Sequence, residues 1–182
     1  MKAVKLIYFL GLISSFALIS CDDEPVDPAL LVKDQTNPPV NTGTMTALVD
    51  GDSFAATSMT GTYSALPDGA GNLLTVTGIK SNGEYITIQM ANPLPGTYTG
   101  NNNTAPETNI TMSYRESLND DIFTAFDFIN NQPTGILKIT SFNMATRKVS
   151  GTFNFVGHIP SAAFPVTQVN NGVFTDVSFT LQ

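Results

Sequence analysis

The residues of this chain that could do chemistry are few: one cysteine, one histidine, some paired acids and a handful of tyrosines. His158 closes the run "KVSGTFNFVGH", on its polar side with Thr152 and Asn154. A triad hydrolase would need it joined to a nucleophile and an orienting acid, and no serine sits in a G-x-S-x-G elbow. A zinc site asks for more His and Cys ligands than are on offer. Calcium comes nearest to the residues present, because it takes six to eight oxygens in tolerant geometry. Asp50 and Asp52 flank Gly51, and Asp120 with Asp121 follow closely on Glu116 and Asn119. Yet "DGDS" lacks the spaced ligands and distal Glu of an EF-hand loop, and Asp-Gly is first of all a turn. The turn reading is preferred at all four acids, and no metal or cofactor is expected. Tyr63, Tyr85 and Tyr98 are the candidates for ligand contact if they face solvent. There is no Trp, and the 12 Phe fall mostly on apolar strand faces, so packing is the preferred role for the aromatic residues.

Cys21 is the one thiol, and its setting is specific. Lys2 and Lys5 precede an apolar run from Leu6 to Ile19, the layout of a secretory signal peptide. Fourteen helical residues would rise roughly 21 Å, short of a hydrocarbon core of about 30 Å, so a permanent span is the weaker reading. Leu18-Ile19-Ser20-Cys21 resembles a bacterial lipobox. The resemblance implies a diacylglyceryl group on the thiol, cleavage before Cys21 and acylation of the new amine. The alternative, an ordinary signal peptide with an incidental thiol, leaves the position and uniqueness of Cys21 unexplained. Several acyl chains, at about 0.8 kcal/mol per buried methylene, would hold the protein firmly on a membrane.

Of the eight Lys and Arg, two lie in this leader, which leaves six against fifteen acids and a net charge of −9 for the mature chain. Such a surface repels phosphate backbones, and no basic cluster compensates, so nucleic acid is excluded as a partner. With Cys21 acylated no disulfide is available, and stability must come from the core.

Residues 22–43 carry four prolines and several acids with little periodicity, and read as a solvated tether; the short apolar patch Ala29–Val32 could instead dock on the domain. Residues 44–182 then form a single domain of a size that buries a substantial core. Only 13% of residues are charged, while 23 Thr and 16 Asn supply the polarity, a bias toward strands and turns. From Met45 onward the apolar period is two. Ile86, Ile88 and Met90 share a face, as do Ile110, Met112 and Tyr114; Val149, Phe153 and Phe155; and Val173, Val177, Phe179 and Leu181. Asn82-Gly83, Asp50-Gly51 and Asn171-Gly172 suit type I′ hairpin turns, and a longer loop separates Phe142 from Val149. Residues 118–129 allow a short helix, but alternation of Ile122, Thr124, Phe126 and Phe128 favours a strand. The expected fold is an antiparallel β-sandwich or flattened barrel of about nine or ten strands.

The segments "MTALVDGDSFAA", "GIKSNGEYITIQM", "PGTYTG", "GILKITSFNMATRKVSGTFNF" and "VNNGVFTDVSF" resemble an uncharacterised family of small all-β lipoproteins of Bacteroidota. The resemblance spans nearly all of residues 44–182, with "KVSGTFNF" its most specific piece. It implies an all-β lipoprotein domain without assigned activity, and so no catalytic residue. "CDDE" resembles two address signals, inner-membrane retention in enteric bacteria and surface export in Bacteroidota; the family resemblance favours the second. The expectation is a lipid-anchored outer-membrane protein at the cell surface, the periplasmic face being the alternative. Its membrane partner is reached through palmitate-type chains on Cys21. Its role is expected to be non-enzymatic: a binding or accessory module for an extracellular ligand or an outer-membrane protein. A structural envelope protein without a ligand is the alternative, and a glycan- or peptide-acting hydrolase is the least favoured.

Overall fold

Alternation of apolar and polar residues becomes alternation of burial along strand after strand. The computed structural model describes residues 43–99, 110–160 and 166–182; Cys21 and the tether lie outside the described residues. The strands are β1 (Thr44–Val49), β2 (Asp52–Ala55), β3 (Ser58–Ala65), β4 (Asn72–Ile79), β5 (Tyr85–Ala91), β6 (Gly96–Thr99) and β7 (Ile110–Arg115). They continue with β8 (Phe123–Thr124), β9 (Phe126–Asp127), β10 (Gln132–Pro133), β11 (Gly135–Asn143), β12 (Lys148–His158), β13 (Val166–Ser178) and β14 (Thr180–Leu181). One 3-10 turn, Pro67–Gly69, joins β3 to β4. The fourteen strands of the described residues exceed the nine or ten expected because two-residue pieces such as β8 and β9 are too short to leave a period in the sequence.

Twelve strands make one curled sheet in the order β14-β3-β4-β5-β7-β8-β12-β13-β1-β2, with β11 and β6 branching from β12, while β9 and β10 pair separately. The expected all-β class holds, as a curled half-barrel. Its pairing is antiparallel except at one place: β14 runs parallel to β3 through Thr180↔Thr62 and Leu181↔Tyr63. The chain leaves β13, buries Phe179 completely, and uses its last residues to cap the opposite edge. Phe142 stacks on Phe179 at 5.4 Å between centroids, and Tyr63 meets both rings at 5.7 Å.

Three of the predicted faces are the buried ones: Ile86, Ile88 and Met90 on β5, Ile110, Met112 and Tyr114 on β7, and Val149, Phe153 and Phe155 on β12. The fourth is corrected. Val173 and Leu181 are exposed, and Phe174 takes the inward place beside Val169, Val177 and Phe179. The cause is two bulges. Phe153 pairs with Gly172 but Phe155 with Val169, and Val149 pairs with Val177 but Gly151 with Phe174, so β13 spends an extra residue at each step. Asn171 and Asp176 stand at these steps with φ of 52° and 49°, in the left-handed region that Asn and Asp tolerate. Each bulge moves the apolar set to the other parity. Asn171-Gly172 is therefore not a hairpin turn but part of a continuous strand.

The other turns differ in detail. Asp50 and Gly51 both have positive φ, 51° and 94°, as a type I′ turn requires. At the β4–β5 hairpin only Gly83 has positive φ, 96°. Its N–H donates to the carbonyl of Lys80 at 3.0 Å, so Ser81 and Asn82 are the central residues and Gly83 follows as a bulge, correcting the type I′ expectation. Residues 118–129 form the short strands β8 and β9 and no helix, but with Phe123 and Ala125 buried and Ile122 and Phe128 exposed. The direction of the alternation is the reverse of that expected.

β12 and β13 make the densest seam. Gly151 faces Phe174 and Gly172 faces Phe153 in register. A Cβ on Gly151 would come within 2.5 Å of the Phe174 ring and of the Lys138 carbonyl, and one on Gly172 within 2.5 Å of the Phe153 ring. Each ring lies over a glycine of the neighbouring strand and occupies the space a side chain would need.

Candidate functional site

Three turn regions meet at one end of the sheet. The type I′ turn after β1 brings Asp50 and Asp52, the β4–β5 hairpin brings Lys80, Asn82 and Glu84, and β7 with the loop beyond it brings Tyr114, Glu116 and Asp120. Together they line a cleft of about 410 Å³. Hairpin tips carry polar residues because water covers them, but here five carboxylates share one hollow with a single ammonium group. Two of the five acids are already engaged. Glu84 accepts from the Lys80 ammonium at 3.1 and 3.2 Å and from the Asn82 amide, and Asp50 accepts from the Gln168 N–H at 2.7 Å, tying the turn to β13. Among the described residues, the carboxylates of Asp52, Glu116 and Asp120 have no protein partner.

Tyr114 is the residue that sequence reasoning missed. Its ring is core, 4% exposed and packed against Phe123 at 6.3 Å. That is why apolar periodicity classed it with Ile110 and Met112. The residue nevertheless stands one place before the end of β7 and lines the cleft. Burial pushes the phenol well above its usual range, and the negative charges of Glu84, Glu116, Asp50 and Asp120 push the same way. Four of the five cleft acids thus act on this one hydroxyl, which remains protonated and hydrogen-bonds to no protein group among the described residues. Buried tyrosines ordinarily find a partner, and here even two half-buried ones do. Tyr98 donates to the Leu94 carbonyl at 2.9 Å, and Tyr85 accepts from Arg115 at 2.9 Å.

The predicted site residues divide accordingly. Asp50, Asp52 and Asp120 come together around the cleft although 70 residues of chain separate the outer two; Asp121 is exposed and does not line it. No three acids or histidines among the described residues converge as ligands of one metal ion would. Tyr63, Tyr85 and Tyr98 are half-buried with structural roles: Tyr63 in the ring cluster with Phe142 and Phe179, Tyr85 under Arg115, Tyr98 closing the turn before β6. His158 pairs through its backbone with Thr124 and Val166, and is not part of the cleft. A second hollow, about 330 Å³, lies under the 3-10 turn between Leu66, Pro67, Leu73 and Ala91 and offers mainly apolar surface. Cys21 lies outside the described residues.

No curated protein and no solved structure matches the chain. Residues 41–178, from just before β1 to the end of β13, match the family described as Domain of unknown function (DUF6252), and the chain belongs to that family.

Proposed function

We propose that this protein is a lipid-anchored module of the bacterial cell envelope, held at the outer membrane through Cys21 and exposed at the cell surface, that binds a ligand in the acidic cleft without turning it over. The observation that carries the binding role is Tyr114, a core residue that lines the cleft and whose protonated hydroxyl has no partner among the described residues, beside three carboxylates equally without one there. Polar groups left without partners inside a fold cost stability, and a ligand that supplies the missing hydrogen bonds gives that cost a purpose.

Two measurements test this. Cells fed an alkyne palmitate should label the wild-type chain and not Cys21→Ala, and protease added to intact cells should remove the wild type. Label on Cys21→Ala, or full protection of the wild type, contradicts the anchored surface role. For the binding role, a set of neutral, anionic and cationic fragments titrated into the 15N-labelled mature chain should move amides at Asn82, Tyr114 and Glu116. A set in which no member moves them contradicts it.

A further inference from the structure

The groups in the cleft also select a class of ligand, a step that rests on the binding reading above. We propose that the cleft receives an organic cation, an aliphatic ammonium or a guanidinium, whose N–H groups donate to the Tyr114 hydroxyl while Asp52, Glu116 and Asp120 balance its charge.

The charge sets the sign. Five carboxylates surround the hollow, and the one ammonium there, Lys80, is paired with Glu84. Like charges held close together repel one another, and a cation relieves all of them at once. The spacing sets the kind of cation. Calcium draws six to eight oxygens to within 2.3–2.6 Å of one point, whereas these acids come from three separate turns and, among the described residues, no three converge. A hollow of about 410 Å³ falls within the range of pockets for small organic ligands. A cation with its charge spread over several N–H groups meets dispersed carboxylates better than a point charge does. The Tyr114 hydroxyl adds direction. Protonated and without a protein partner among the described residues, it offers its oxygen lone pairs to an incoming N–H. Among the described residues Val49 is the one aliphatic member of the lining, too little apolar surface to hold a neutral hydrophobic ligand.

The chemistry is shared by free polyamines and by lysine or arginine side chains of a protein, and one experiment separates them. The mature chain is titrated at low salt with spermidine, with a short lysine-rich peptide and with calcium chloride, following the amides of Asn82, Tyr114 and Glu116. Saturable shifts with an amine are expected, weakened about tenfold in Tyr114→Phe, the loss of one charge-assisted hydrogen bond, and weakened again in Asp52→Asn, an exposed position that does not threaten the fold. Tighter binding of spermidine identifies a free amine as the ligand, and tighter binding of the peptide identifies a protein side chain. Equal affinity in Tyr114→Phe, calcium binding tighter than either amine, or no saturable shift with either amine overturns the proposal. If neutral or anionic fragments move these amides and amines do not, the ligand class is wrong and the binding role stands; if nothing moves them, both fall.

Discussion

The β12–β13 seam and the cleft at the hairpin tips are built from the same sheet, yet they treat their groups in opposite ways. In the seam every volume is claimed: Phe153 and Phe174 lie over Gly172 and Gly151, and a single added methyl group has nowhere to go. In the cleft, groups that could pair are left apart: among the described residues the carboxylates of Asp52, Glu116 and Asp120 have no partner, and neither has the hydroxyl of Tyr114, whose ring is core. A region arranged only for stability would resemble the seam. The contrast marks the seam as what holds the fold and the cleft as what the fold holds in place.

The largest expected effect lies on the seam side. Phe179→Ala removes the ring that links β13 to Phe142, Tyr63 and the β14 cap, and urea unfolding should show a loss of about 3–5 kcal/mol. A loss under about 1 kcal/mol would mean that the β14 closure is not part of the stable core. Gly151→Ala is next. Its Cβ meets a backbone carbonyl as well as a ring, so relief requires a strand to move, and a loss of about 1–3 kcal/mol is expected in the same assay. A neutral result would show that β11 and β12 can separate locally.

A smaller effect separates satisfied from unsatisfied carboxylates. Asp127, outside the cleft, accepts from the N–H groups of Ile129 and Asn130 at 2.9 and 3.0 Å and from the Asn130 amide at 2.6 Å. The Asn130 side chain, then the backbone, holds its carboxyl below the ordinary value of 3.8. A carboxyl depressed on folding stabilises above its unfolded pKa, and that contribution disappears as pH falls through the folded one. Carboxyl NMR should therefore find Asp127 titrating below 3.8, and Asn130→Ala should raise it. No change in Asn130→Ala would contradict the hydrogen-bond assignment.

How much of this was legible in the sequence depends on whether the deciding contact was local. The period-two faces of β5, β7 and β12 could be read because burial on one side of a strand writes itself into every second residue. Asn82-Gly83 and Asn171-Gly172 show the limit. Both dipeptides supply a residue able to take positive φ, but the first lies at a turn between strands and the second at a bulge within β13. What decides is whether the partner strands fold back or continue on both sides, and one of the two partners of β13, β1, lies at the far end of the domain's sequence. The cleft divides in the same way. Asp50, Asp52 and Asp120 are legible as acids at turns, but only the sheet order brings them around one hollow. Tyr114 was hidden because a tyrosine on an apolar face reads as core, and its ring is core. The unpartnered hydroxyl at the ring's far end leaves no mark in the sequence.

The smallest expected change in stability is also the most telling, because the central claim is that the Tyr114 hydroxyl serves a ligand and not the fold. Urea unfolding of the wild type and Tyr114→Phe, each with and without saturating spermidine, tests it directly. Without ligand the variant should match the wild type or exceed it by up to about 1 kcal/mol, since it loses a buried unpartnered polar group. With ligand the wild type should gain stability through binding to the folded state, and the variant should gain clearly less. A variant that is less stable by more than about 1 kcal/mol and responds to spermidine as the wild type does would make the hydroxyl a structural group and contradict the claim.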